Sequence, residues 1–394
     1  MTVHCGRTMS TRADAIHASP AAGAAADASL AWRRAALWGL LGAKVISSWG
    51  VQWDIQWHTL IGRDSFWIPP HLMTYAGVVA MVVLSFGALA WTTLRPSRGA
   101  GDVVRVLGLA GTRGFHLAAW GIALTVLAAP IDDLWHRLFG LDVTLWSPPH
   151  LLGLLGAAVN TLGCFCIARE VYPARSRAGF AAQVGTGTIL FIGLHFALQP
   201  AFRIAYLHGG VLFHFYAMLA SLVLPVAFIT TARLTGVRWA PLLVMVGAVA
   251  LGLLGMQIAR VGFDLLQPVS VIGEEIAKDP TSPIAVANIV ARKNGTTPGA
   301  TTSLAQLLGL IPVAVMVLVD PRRRPLRATV AYALVLFALM AVRLASLPAF
   351  RPIVPEGGAT LVALGLTLVA GVVGGWVASR IAATLGPPPR SVTS

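Results

Sequence analysis

Apolar stretches of about 18 to 25 residues recur along nearly the whole chain, each long enough to cross a hydrocarbon core about 30 Å thick. Short polar connections, many carrying arginine, separate them. The pattern predicts an all-α, multi-pass helical membrane protein with ten spans. They fall near residues 35–55, 69–93, 114–136, 148–168, 179–199, 209–231, 239–260, 302–319, 326–346 and 359–382. A transmembrane barrel would show alternating strands of about ten residues, and these runs are too long and too uniformly apolar for that. Residues 1–30 lack the hydrophobic centre of a signal peptide and read as a disordered cytoplasmic tail, with a second short tail at 385–394.

Composition agrees with the pattern. Of 394 residues, 56% are hydrophobic and 11% charged, less than half the charged fraction of ordinary soluble domains, about 25%. The formal charge of +14 would raise the question of a nucleic-acid partner in a soluble protein, but here the arginines sit in short loops and point to topology instead. Arg95, Arg98, Arg105 and Arg113 follow the second span, Arg169, Arg175 and Arg177 the fourth, Arg233 and Arg238 the sixth, and Arg322, Arg323, Arg324 and Arg327 the eighth. By the positive-inside rule these connections and both termini face the cytoplasm. Cys5 lies in the tail and Cys164 and Cys166 inside a span, so no disulfide framework or CxxC zinc site is present.

An internal repeat supplies the candidate chemistry. Asp54 to Leu72, DIQWHTLIGRDSFWIPPHL, aligns with Asp132 to Leu151, DDLWHRLFGLDVTLWSPPHL, with one inserted residue and eleven identities. The identities include Asp54/Asp132, His58/His136 and His71/His150. Each copy covers the end of one span, a short loop and the start of the next, so the duplicated unit is a helical hairpin.

Asp54 and His58, four residues apart, leave a helix on the same face. Pro69 and Pro70 favour a helix start and put His71 in the first turn of the following helix. The hairpin then brings one carboxylate and two imidazoles together at the membrane boundary. Such a set is compatible with Cu(II), Fe(II) or Zn(II), and two histidines with one carboxylate also describe the facial triad of non-haem iron enzymes. Trp53, Trp57, Phe66 and Trp67 would wall it with apolar surface. The same aromatics also suit a membrane interface without any site.

In the second copy, Asp132 and Asp133 point in different directions on a helix, and the alignment selects Asp132 to join His136 and His150. Asp133 is then free to bridge to a neighbouring hairpin. Asp64 and Asp142 read equally as partners behind a ligand histidine or as caps. His195 and His208 repeat the thirteen-residue separation of His58 and His71 across the fifth and sixth spans, which suggests a degraded third copy. With His214 they would complete a site or be satisfied inside the bundle, and His116, near the cytoplasmic end of its span, reads as structural.

The pattern Asp54-x3-His58-x12-His71 resembles the copper-ligand motif in a membrane-spanning component of the particulate methane and ammonia monooxygenases, the copper membrane monooxygenases. The resemblance covers about twenty residues in each copy and implies copper ligation by Asp54, His58 and His71 and, with one extra residue, by Asp132, His136 and His150. It implies an oxidative metal site of that type in a chain with more spans than the family and two copies of the motif.

Two function classes follow. One is a copper- or iron-dependent membrane oxidoreductase acting on a hydrophobic substrate at the outer face, drawing electrons from a redox partner or the quinone pool, since no flavin or nicotinamide fingerprint is present. The other is a non-enzymatic metal or proton transporter or binding protein, against which the scarcity of Met and Cys in the motifs counts for Cu(I). Haem between facing histidines is a third arrangement, but it would need no carboxylate ligand. The bilayer is the expected partner, with a second copy of the chain as a further one. Residues 261–301 form a polar outer segment read either as a lid over the hairpins or as a mobile loop, and 302–384 as scaffold.

Overall fold

The computed structural model describes residues 20–62, 65–95, 103–139, 145–173, 175–299 and 307–386. Cys5, Asp64, Asp142 and the side chain of His136 lie outside the described residues. The chain is all-α apart from one two-stranded antiparallel ribbon, β1 (Val103–Val106) and β2 (Leu109–Thr112). Eight helical runs among the described residues are long and apolar enough to cross a membrane. The protein is a multi-pass integral membrane protein.

The helix α1 (Pro20–Leu60) is longer than the expected first span and begins fifteen residues earlier, because the alanine-rich stretch before it has high helix propensity. Carrying Arg33, Arg34, Lys44 and Asp54, it is not among the eight apolar runs. Lys44 is buried and donates to Thr161 Oγ1 at 3.0 Å, a polar tie between α1 and the helix Pro148–Val171. Of the expected span 302–319, the described helix is α12 (Leu310–Leu318), nine residues long.

Two hairpins carry the repeat: α1 with α2 (Pro69–Leu94), and α3 (Arg113–Phe139) with α4 (Pro148–Val171). Pro occupies the first positions of α2 and α4, where a missing N–H costs nothing. The duplication extends into the helix packing. A Cβ on Gly77 would meet Ala43 O at 2.5 Å and Ser47 Cβ at 2.7 Å; one on Gly156 would meet Gly121 O and Thr125 Oγ1, both at 2.6 Å. Gly77 and Gly156 each lie six residues beyond the second motif histidine, and Ser47 and Thr125 each seven before the aspartate. In both hairpins the backbones touch through the same pair of positions, the small-residue contact that membrane helices use in place of hydrophobic collapse.

The remaining spans are α5 (Arg177–Ala197) with α6 (Pro200–His208), α7 (Phe215–Val223) with α8 (Pro225–Thr235), α9 (Ala240–Leu266), α13 (Pro325–Ser346) and α14 (Gly357–Leu385). One core joins α1 to α5 around Leu37, Leu40, Phe115 and Ile122; a larger one joins α4, α5, α7, α8, α9, α12, α13 and α14 around Phe165, Phe228 and Val244. Arginine-bearing connections meet one another at one end of the bundle. Arg34 Nε donates to Val171 O at 3.0 Å, Arg322 Nη1 to Gly236 O at 2.7 Å, and Arg113 Nη1 to Thr384 O at 3.0 Å. Arg322 also grips Asp320 at 2.9 Å and holds that carboxyl down at about 2.

The segment after α9 is helical rather than irregular: α10 (Ile272–Lys278) and α11 (Pro283–Asn294). It docks on the far end of α1, where Val271 N donates to Ile61 O at 2.8 Å, Ser270 Oγ to Leu60 O at 2.6 Å and Asn288 Nδ2 to Thr59 O at 3.1 Å. Those three carbonyls end a helix and have no partner within it.

Candidate metal centre

Helical spacing puts Asp54 and His58 one turn apart on the face of α1 that meets α2, and the proline-started helix α2 returns His71 to them. His71 Nε2 lies 3.1 Å and His58 Nε2 3.4 Å from Asp54 Oδ1. One ligand atom from each of the three lies within 4.8 Å of the others. With bonds of about 2.0–2.2 Å, ligands of one ion sit roughly 3.5 Å apart when adjacent, and the two short distances match. The side chains are 17 to 22% exposed, open enough for an ion to enter yet partly dehydrated.

The protonation of His71 follows from its other nitrogen. Nδ1 lies 3.0 Å from the carbonyl oxygen of Ser65, and a carbonyl can only accept, so Nδ1 carries the proton. In neutral His71 the lone pair on Nε2 then faces the carboxylate oxygen of Asp54. Two acceptors at that separation repel unless a cation, a metal ion or a second ring proton, lies between them. Asp54 Oδ1 is buried with no hydrogen-bond donor among the described residues. A metal-binding histidine fixed by a backbone carbonyl on its second nitrogen is the usual arrangement.

The aromatic wall differs from the sequence expectation. Trp53 and Trp57 are buried on the other side of α1, where Trp57 stacks on Phe263 of α9 at 5.8 Å and Trp53 meets the same ring edge-on at 6.2 Å. They lock α1 to α9, because successive residues of a helix cannot share the face of Asp54 and His58. Phe66 and Trp67 remain exposed near the site. Tyr75, one turn beyond His71, fills the role instead: its ring lies 5.8 Å from His71 and 4.9 Å from Phe66. Its i+4 spacing from His71 was the available signal. The Ser65 carbonyl has none, since every residue has one.

In the second hairpin His150 Nε2 approaches Asp132 Oδ1 at 3.4 Å, the same atom pair as in the first. Asp133 instead pairs with Arg137 at 2.6 Å on an exposed surface, and so leaves this group, as expected for adjacent carboxylates pointing apart. The copies differ around the equivalent tryptophans: Trp67 is exposed, whereas Trp146 donates to Ala197 O at 2.7 Å and meets Phe215 edge-on.

The suggested third copy does not form a hairpin. His195 and His208 lie on one helical run, Arg177–His208, which puts thirteen residues about 20 Å apart along the axis. His195 is satisfied within the bundle by Tyr216 OH and Gln199 Nε2, both at 3.1 Å, and stacks on Phe191. His208 is exposed at the end of α6, and His214 is buried against Phe337 at 4.5 Å. None of the three joins an acidic group to form a metal-ligating cluster among the described residues. His116 contacts Val104 O at 3.1 Å, tying α3 to the ribbon, a structural role.

Comparisons with family models, curated proteins and solved structures found no match to this chain.

Proposed function

We propose that this integral membrane protein binds one transition-metal ion at Asp54, His58 and His71, copper in preference to iron or zinc, and uses it to oxidise a hydrophobic substrate at the outer boundary of the bilayer. One observation carries the metal: the Nε2 of a histidine whose Nδ1 is committed to Ser65 faces a carboxylate oxygen at 3.1 Å. That pairing calls for a cation, and the donor set is the nitrogen-and-oxygen kind that Cu(II) and Fe(II) accept. The ion would supply the redox chemistry. Asp54 brings the negative charge, His71 is held in orientation by the Ser65 carbonyl, and Phe66, Trp67 and Tyr75 give an apolar approach for a substrate arriving from the membrane. The resemblance to the copper membrane monooxygenases favours copper and supports an oxidative role.

Elemental analysis by mass spectrometry, on protein solubilised without chelator, tests the reading. Wild type should carry stoichiometric metal, and Asp54→Ala should lose it. Because Asp132 lies in the other hairpin, outside the Asp54, His58 and His71 group, Asp132→Ala should leave that metal in place, an effect unequal to that of Asp54→Ala. Ligand removal should cost more than the 10- to 100-fold typical of groups behind the ligands. Absence of transition metal from the wild type, or a full complement in Asp54→Ala, overturns the proposal.

A further inference from the structure

A second feature lies away from the histidines. Between α1, α5 and α9 runs an open groove of about 450 Å³, lined by Trp38, Gly42, Val45, Val184, Leu243 and Leu251 among others. Its volume falls in the range of about 300–1,000 Å³ that accommodates small ligands. The lining is almost wholly apolar. Its one hydroxyl, on Thr188, is turned onto backbone carbonyls, donating to Val184 O at 3.0 Å, so nothing in the groove would orient a polar molecule. A Cβ added to Gly42 would meet nothing within 4 Å, so the space beside this helix is open. On α1 the lining from Trp38 to Val45 extends about 10 Å along the helix, enough to take a length of acyl chain.

Polar recognition is available only at the mouth. Helical periodicity puts Arg34 on the stripe of Trp38, Leu41 and Val45, and Arg177 on the stripe of Ala181, Val184 and Thr188. Arg238 lies just before α9, whose Leu243, Gly247 and Leu251 form the third wall. Arg34 in the early part of α1, Arg177 at the first position of α5 and Arg238 just before α9 lie towards the end of the bundle where the arginine-bearing connections gather. Among the described residues none of the three forms an ion pair. Aromatic rings frame the same end: Trp38 Nε1 donates to Tyr172 OH at 2.8 Å, the Arg34 guanidinium lies 5.1 Å over the Tyr172 ring, and Phe180 meets Trp239 at 5.6 Å. Amphipathic rings and arginines at this depth mark a headgroup zone.

We propose that the groove is a site for one anionic phospholipid, with an acyl chain between α1, α5 and α9 and the phosphate at Arg34, Arg177 and Arg238. Charge complementarity decides the headgroup: three guanidiniums with no acidic partner among the described residues favour a net negative lipid over a zwitterionic one.

Native mass spectrometry of the full-length protein, purified in mild detergent and supplied with phosphatidylglycerol or phosphatidylcholine in turn, tests this. The wild type should retain one phosphatidylglycerol and, at equal concentration, at least tenfold less phosphatidylcholine. The double substitution Arg34→Gln with Arg177→Gln should abolish that preference, and Gly42→Trp, which fills the groove, should remove retention of both lipids while the thermal transition persists. Equal retention of the two lipids by the wild type overturns the headgroup assignment whether or not Gly42→Trp folds. Undiminished phosphatidylglycerol on a folded Gly42→Trp overturns the groove assignment, and dimer masses in place of lipid adducts assign the face to a second copy of the chain.

Discussion

His71 and Trp57 stand at opposite ends of what a residue type reveals. Histidine beside aspartate is costly inside a membrane and carries its functional meaning in its spacing, whereas tryptophan belongs at the membrane boundary on general grounds. The distances separate them further: His71 faces Asp54 across the hairpin, while Trp57 turns away and stacks on Phe263. Their substitutions should therefore differ in kind. Trp57→Ala empties a buried aromatic position and is expected to cost about 3 kcal/mol of stability, seen as a lower thermal transition in detergent, with metal per folded chain unchanged. His71→Gln keeps the volume and a hydrogen-bonding tip but loses the imidazole, so metal content should fall with little change in the transition. Loss of metal from folded Trp57→Ala would return the tryptophans to the site.

At the scale of elements, the repeat was legible as twenty residues with eleven identities, because Asp, His, Trp and Pro-Pro are rare enough for coincidence to be excluded. Its continuation through Gly77/Ser47 and Gly156/Thr125 was not. Glycine, serine and threonine are common in spans, and only packing reveals that they mark the same backbone contact. The third copy failed for a related reason: a thirteen-residue separation is the same number whether a chain turns back, as between His58 and His71, or continues as one helical run through the break before Pro200, as between His195 and His208. The outer segment was read as polar and aperiodic, yet it forms α10 and α11, since helices this short draw their order from docking on α1 rather than from an apolar stripe. Two glycines test the packing claim. Gly77→Ala sets a methyl against Ala43 O and should cost about 1–3 kcal/mol through overpacking. Gly87, on the same helix, would present its Cβ to open space, so Gly87→Ala should instead stabilise by roughly 1 kcal/mol. Thermal transitions of the two single variants should move in opposite directions; a common shift would mean that the hairpin does not depend on this contact.

Across the whole molecule, the class was written in the hydropathy, while the number of spans was blurred by α1, whose charged residues are paid for in tertiary contacts such as Lys44 with Thr161. Orientation rests on charge. The arginine-bearing connections meet at one end, as Arg34 with Val171, Arg113 with Thr384 and Arg322 with Gly236 show. The Asp/His hairpins turn at the other end, where α10 and α11 dock on the end of α1. Short basic loops are retained on the cytoplasmic side because moving them across the membrane against its potential is unfavourable, so the proposed metal centre should face outward and meet metal supplied from outside the cell. In a background of Cys5→Ser, which leaves only the buried Cys164 and Cys166, Ser65→Cys and Thr281→Cys should react with a membrane-impermeant thiol reagent in intact cells. Ala178→Cys, exposed beside Arg177, should react only after the cells are permeabilised. Labelling of Ala178→Cys in intact cells, with protection of the other two, would reverse the orientation and put the Asp54, His58 and His71 centre on the cytoplasmic face, where its metal and any electron donor would have to come from within.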